Sequence, residues 1–149
     1  MLSSKGTILI FSIIGGIFVN AFGGMGIAML AMFFKSFIFL HMDADIVIVS
    51  CGSPYRSVGA AIKMAREEGF KVGSLKINTP WPFPEEEIKA IADDVDNIIV
   101  PEMNLGQMVH EVERVVAGKA NVHLIGKIGG VLHKPEEILA KIKEIEGEC

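Results

Sequence analysis

The side chains with most chemistry to offer in this sequence are scattered rather than assembled. Cys51 and Cys149 stand far apart and in no CxxC arrangement, so a zinc ribbon, an iron–sulfur cluster and a disulfide framework all lack sequence support. Both thiols read as buried or inert. His110 falls among Gln107, Glu111 and Glu113 on the outward arc of a helical pattern, His123 lies in a strand, and His133 lies in a loop beside Lys134. None has a Ser, Cys or Asp partner in a motif for general-base or nucleophilic work. Solvated or packed histidines are the expectation, and no catalytic set emerges.

Four polar or aromatic clusters remain. Gly52-Ser53 at a helix start could hold an anion on free backbone N–H groups, but a single glycine before a serine cap is ordinary helix punctuation, and that is the preferred reading. Ile125-Gly126-Lys127-Ile128-Gly129-Gly130 is glycine-rich but lacks the GxxxxGK[ST] spacing, and no Ser or Thr follows Lys127 to hold magnesium. Gly129 and Gly130 therefore turn the backbone under a sheet edge or press it against a neighbouring subunit. Thr79-Pro80-Trp81-Pro82-Phe83-Pro84 packs three prolines around the single Trp, a stiff segment holding Trp81 and Phe83 in fixed positions. It either lids its own core or presents an anchor to another chain. In Glu102-Met103-Asn104-Leu105-Gly106-Gln107, Asn104 can cap the helix that follows and Glu102 can answer its dipole. A functional reading adds hydrogen bonds between Glu102, Asn104 or Gln107 and a partner or cofactor.

These clusters need elements to position them, and the hydrophobic pattern supplies four βα units. Ile46-Val47-Ile48-Val49 is a continuous apolar run, as a strand covered on both faces requires. Ser53 then reads as N-cap with Pro54 in the first helical turn, Val58, Ala61, Ile62 and Ala65 line one face, and Gly69 supplies a left-handed stop. Val72 to Ile77 is the second strand, followed by a helix opened by Pro84 and buried through Ile88, Ile91, Ala92 and Val95. Asn97 to Val100 is the third strand, before a helix striped by Leu105, Met108, Val109, Val112, Val115 and Val116 and ended by Gly118. Val122 to Ile125 is the fourth, before a helix from Pro135 with Glu137 and Lys141 as an i,i+4 pair. Strand starts recur about every 25 residues, room for one right-handed crossover helix each. A parallel sheet with helices on both faces follows. In such sheets ligands and partners meet the carboxyl ends of the strands, where all four clusters fall.

Charge divides the chain in two. Of 149 residues, 50% are apolar and 21% charged, yet residues 1–42 carry only Lys5 and Lys35, while 43–149 carry 12 basic and 18 acidic side chains. With no basic stripe, nucleic acid is excluded as a partner. Residues 6–34 hold no charge, and as one helix would reach roughly 44 Å against a hydrocarbon core of about 30 Å. Three readings stand for the apolar segment 1–42: a tilted membrane anchor, a secretory signal cleaved near Ala21, or a segment foreign to the domain that follows at 43–149.

Taken together, Gly52-Ser53-(x)2-Arg56-Ser57, Trp81-Pro82-Phe83-Pro84, Glu102-Met103-Asn104-(x)-Gly106-Gln107, and Gly129-Gly130 with Pro135-Glu136-Glu137-Ile138 resemble the carboxyl-terminal domain of 2-oxoacid:ferredoxin oxidoreductase alpha subunits, in order, over about residues 44–146. The Glu-Met-Asn-x-Gly-Gln form looks more like the 2-oxoglutarate and branched-chain branches than the pyruvate branch. The resemblance implies a transketolase C-terminal-like α/β/α sandwich with an edge strand before Ile46, for which Ser36 to Leu40 is the candidate. It implies a structural domain within a thiamine-dependent oxidative decarboxylase. Thiamine diphosphate, magnesium and iron–sulfur clusters would sit on partner domains, none on this chain. The pyrimidine-binding thiamine domain expected ahead of the match is replaced by the apolar segment, so a truncated or split alpha subunit is expected. The partners would be the other subunits of such a complex, with self-association open. Trp81, Phe83, Glu102, Asn104, Gln107, Gly129 and Gly130 are the expected subunit-interface residues. The location would be cytoplasmic, or membrane-associated if residues 6–34 form an anchor. A membrane-tethered, non-catalytic binding module on the same fold is the competing expectation.

Overall fold

The computed structural model describes residues 38–39 and 44–147. The chain divides into units 1–35 and 36–149, and all described residues belong to the second. The apolar run 6–34 and Cys149 lie outside the described residues.

A five-stranded sheet runs through this unit. Its strands are β1 (Ile38–Phe39), β2 (Ile46–Cys51), β3 (Val72–Ile77), β4 (Asn97–Glu102) and β5 (Asn121–Gly126). The spatial order is β1-β3-β2-β4-β5. Strands β2 to β5 are parallel, and β1 adds an antiparallel edge to β3, in the stretch expected to supply an edge strand. Helices α1 (Tyr55–Glu67), α2 (Glu85–Ala92), α3 (Met108–Val116) and α4 (Pro135–Gly147) are the crossovers and the closing element. Alternation along β2 explains the layers. Val47 and Val49 enter one core with Ile88, Ile91, Val109 and Val112 of α2 and α3. Ile46 and Ile48 enter the other with Val58, Ile62, Ile138 and Ile142 of α1 and α4. The result is the expected α/β/α sandwich, because a strand buried on both faces needs a helix layer on each.

Local expectations are corrected in several places. Pro54 has helical angles, but α1 takes no side-chain cap at its start, so Ser53 does not act as its N-cap. The left-handed position closing α3 is Ala117, φ 51°, one residue before Gly118. Glu137 does not pair with Lys141. Its carboxylate instead binds Lys127 Nζ at 2.8 Å and accepts the Lys134 backbone N–H at 2.9 Å, while Lys141 pairs with Glu144. Long-range contact and the capping geometry of the first turn outweigh a weak i,i+4 attraction. Strand β4 also continues past Val100 through Pro101 to Glu102, placing a proline inside a central strand.

Candidate functional site

The order of the parallel strands reverses between β2 and β4, and at such a switch point the loops leaving the carboxyl ends diverge to opposite faces. A crevice of about 280 Å³ opens there, walled by Cys51, Pro54, Val100, Pro101, Met103 and Met108, with Ser53, Glu102, Asn104 and Gln107 as its polar lining. Burial pushes the Cys51 thiol up, the nearby Glu102 carboxylate pushes it further, and Lys76 offsets part of this. A thiol held neutral is a poor nucleophile and reacts slowly.

The loop from β4 to α3 owes its shape to its own polar residues. Glu102 is 6% exposed, and its carboxylate accepts backbone N–H bonds from Gln107 at 3.0 Å, Met108 at 2.9 Å and Val109 at 2.7 Å. These are the orphan donors of the first turn of α3, where the helix dipole also favours an anion. Asn104 Oδ1 accepts from Gly106 N–H at 2.7 Å and Gln107 N–H at 3.1 Å. Gly106 has φ 109°, and a Cβ there would lie 2.9 Å from Val109 Cγ1, so glycine is required. Glu102 and the Asn104 oxygen thus spend their hydrogen-bonding capacity inside the loop. What the loop turns outward is Gln107 and Leu105, the latter 77% exposed.

In the loop after β3, Trp81 is 83% exposed while Phe83 packs on the core beneath α2 and α3. Of the two roles open to the segment, Trp81 does not lid its own core; Phe83 holds the segment down and Trp81 stands out. After β5, Gly129 and Gly130 have φ 85° and 74° and are exposed, turning the loop that carries exposed Ile128, Val131 and Leu132. Lys127 braces this loop through Glu137 and through the Leu132 carbonyl at 3.3 Å. Among the described residues, the large apolar side chains left exposed are Trp81, Leu105, Ile128, Val131 and Leu132 in these three loops, and Leu124 on β5. Five of these exposed apolar side chains therefore stand on the loops that leave the carboxyl ends of β3, β4 and β5. Leu105, which the sequence pattern puts in the buried stripe of the third helix, instead lies in the loop ahead of α3, which begins at Met108, and is exposed; an apolar residue at helical spacing does not itself mark where the helix starts.

His110 is exposed beside Glu113, and His123 Nε2 meets Asn97 Oδ1 at 3.1 Å in a shallow hollow at the opposite, amino end of the sheet. His133 is buried, with Nε2 2.8 Å from the Ile125 carbonyl oxygen. Gly52, φ 71°, and Ser53 are exposed at the start of α1. No group of three or more His, Cys, Asp or Glu that could hold a metal ion occurs among the described residues. With two cysteines in the whole sequence, the chain does not fit an iron–sulfur cluster, which takes four protein ligands.

Residues 44–138, more than half of the chain, match the family described as pyruvate:ferredoxin oxidoreductase core domain II. The chain belongs to the 2-oxoacid:ferredoxin oxidoreductase alpha-subunit family. Its domain is 58% identical over 100 residues to the 2-oxoglutarate synthase subunit KorA of Methanothermobacter marburgensis, a match covering 67% of this chain and 27% of that protein. It is 40% identical over 106 residues to the ketoisovalerate oxidoreductase subunit VorB of the same organism, covering 71% of this chain and 30% of VorB. The chain thus spans just over a quarter of the length of these oxidoreductase relatives. A split-gene transketolase, solved as an inactive β4 tetramer, superposes with a TM-score of 0.56 at 18% identity, covering 67% of this chain and 37% of that one. That likeness shows the transketolase-like fold of the oxidoreductase domain. Family membership does not support the membrane-tethered module. No described helix is long and apolar enough to cross a membrane, and the proposed span, 6–34, lies outside the described residues.

Proposed function

We propose that this chain contributes a structural, subunit-interface domain to a 2-oxoacid:ferredoxin oxidoreductase, as a truncated or split alpha subunit of the 2-oxoglutarate or branched-chain type. The domain is residues 43–149 with the edge strand Ile38–Phe39. The observation that carries the reading is the exposure of Trp81 and Leu105 on the loops at the carboxyl end of the sheet, the second of them on a loop whose Glu102 carboxylate and Asn104 oxygen are satisfied within the loop. Exposed anchors on rigid supports are what an interface hot spot needs. In this reading Trp81, Gln107, Gly129 and Gly130 line the contact, Phe83, Glu102 and Asn104 hold its loops in place, and Gly52 and Ser53 border it. Thiamine diphosphate, magnesium and iron–sulfur clusters belong to partner domains, and oxidative decarboxylation of the 2-oxoacid takes place there, in the cytoplasm.

The test is association. A tagged chain expressed in its native cells is expected to copurify with thiamine-binding and ferredoxin-like subunits, while the purified chain alone reduces no viologen dye with any 2-oxoacid and coenzyme A. Turnover by the pure chain, or recovery without such subunits, would overturn the proposal.

A further inference from the structure

The two central strands part early. Pairing between β2 and β3 continues to Cys51↔Ile77 and pairing between β4 and β5 continues to Glu102↔Gly126, but pairing between β2 and β4 stops at Ile48↔Ile99. The ladder geometry supplies the cause. Asn121 N–H donates to the Asp96 carbonyl and Lys127 N–H donates to the Glu102 carbonyl, so even-numbered residues of β4 direct their backbone groups to β5. In a parallel ladder the groups alternate sides along the strand, which turns the backbone nitrogen of Pro101 toward β2. Continued pairing there needs an N–H, and proline has none. The pairing with β5 is untouched, because Pro101 contributes nothing on that side. The crevice opens just where the ladder fails, between Cys51 of β2 and Val100, Pro101 and Glu102 of β4.

We infer that Pro101 is a built-in wedge that holds the switch-point crevice open, a conformational device written into a central strand. Its effect is to keep a preformed slot, instead of a zipped sheet, at the place where open α/β sheets receive ligands and partners. This role of Pro101 follows from strand register, the ladder hydrogen bonds and the position of the crevice, and is independent of the proposed assembly role. It also explains why a proline is accommodated inside a central strand, where it is otherwise confined to edges, strand starts or bulges: the donor it lacks would point only into the crevice.

Cys51 is a natural reporter because it is half-buried in the crevice wall. Iodoacetamide labelling of the native full chain, read at Cys51 by peptide mass mapping at one fixed pH, is compared between the wild type, Pro101→Val and Pro101→Ala. Both substitutions restore an N–H toward β2. Cys51 is expected to be labelled at least fivefold more slowly in both variants, with the new amide at position 101 protected from hydrogen exchange. A smaller change in labelling, or an amide at 101 that exchanges as fast as those of the surrounding loops, overturns the inference. So does failure of both variants to fold, since a wedge removed from a central strand adds a ladder bond and takes none away.

Discussion

The polar residues that look most like contact groups turn out to be loop supports. Glu102 closes the first turn of α3 through three backbone N–H bonds, so Glu102→Ala leaves buried donors without an acceptor. We expect it to cost about 2–3 kcal/mol, in the range of a lost cap combined with buried unsatisfied groups, measured by urea unfolding. Glu102→Gln keeps one acceptor oxygen and should cost less. Trp81 is the opposite case. At 83% exposure it has little to lose on truncation, so Trp81→Ala should change stability by no more than about 0.5 kcal/mol. The same change should weaken association with the partner subunit by ~2 kcal/mol or more. A large drop in melting temperature with partner affinity preserved would instead place Trp81 in the fold and defeat its role as an anchor.

At the scale of elements, charge ties the ends of helices together on the surface. Arg114 of α3 reaches Glu85 at the start of α2, Nη2 to Oε1 at 2.8 Å, and its side-chain hydrogen bond and charge hold the Glu85 carboxyl below the usual carboxylate range. Glu137 is lowered in the same way by Lys127 and by the Lys134 backbone N–H. A carboxyl with a lowered folded-state pKa adds stability at pH values above its unfolded pKa, and that increment drains away as the pH falls through the lowered value. Thermal unfolding should therefore show a steeper acid loss for the wild type than for Glu137→Gln, which lacks this contribution throughout. Both carboxylates are on the surface, so the difference is small and shrinks with added salt. An identical acid profile in the two proteins would count against the clamp. Gly106 makes a sharper test of the loop. With φ 109° and Val109 Cγ1 2.9 Å from any added Cβ, Gly106→Ala should destabilise by roughly 1–3 kcal/mol, visible in the same urea assay.

For the molecule as a whole, both cores draw their buried members from residues 46 to 145, while β1 contributes a two-residue antiparallel edge. A chain beginning at Met42 is expected to unfold cooperatively, because the helix layers on both sheet faces are intact. It should also self-associate more than the full unit, since removing β1 bares the backbone of β3 as a pairing template. Sedimentation velocity and thermal melts check both halves. Loss of cooperativity would show that residues before 42 complete the core.

Composition and periodicity alone determined the four βα units and the two-layer burial of the helices. Those features are local: a short β-branched run such as Ile46–Val49, bounded by turn residues, fits a strand covered on both sides. The resemblance carried by Trp81-Pro82-Phe83-Pro84 and Glu102-Met103-Asn104-Leu105-Gly106-Gln107 added the family, which residues 44–138 then match. Tertiary structure decided the remainder. Whether Glu102 faces outward or caps α3, whether Glu137 pairs with Lys141 or reaches Lys127, and that Leu105 points to solvent all depend on where distant segments come to lie. So does Pro101: in sequence it looks like the end of a strand, and only the neighbours on either side show that β5 accepts it while β2 cannot. A hydrogen bond is won by the donor that the fold brings within 3 Å, and the order of residues along the chain does not record that distance.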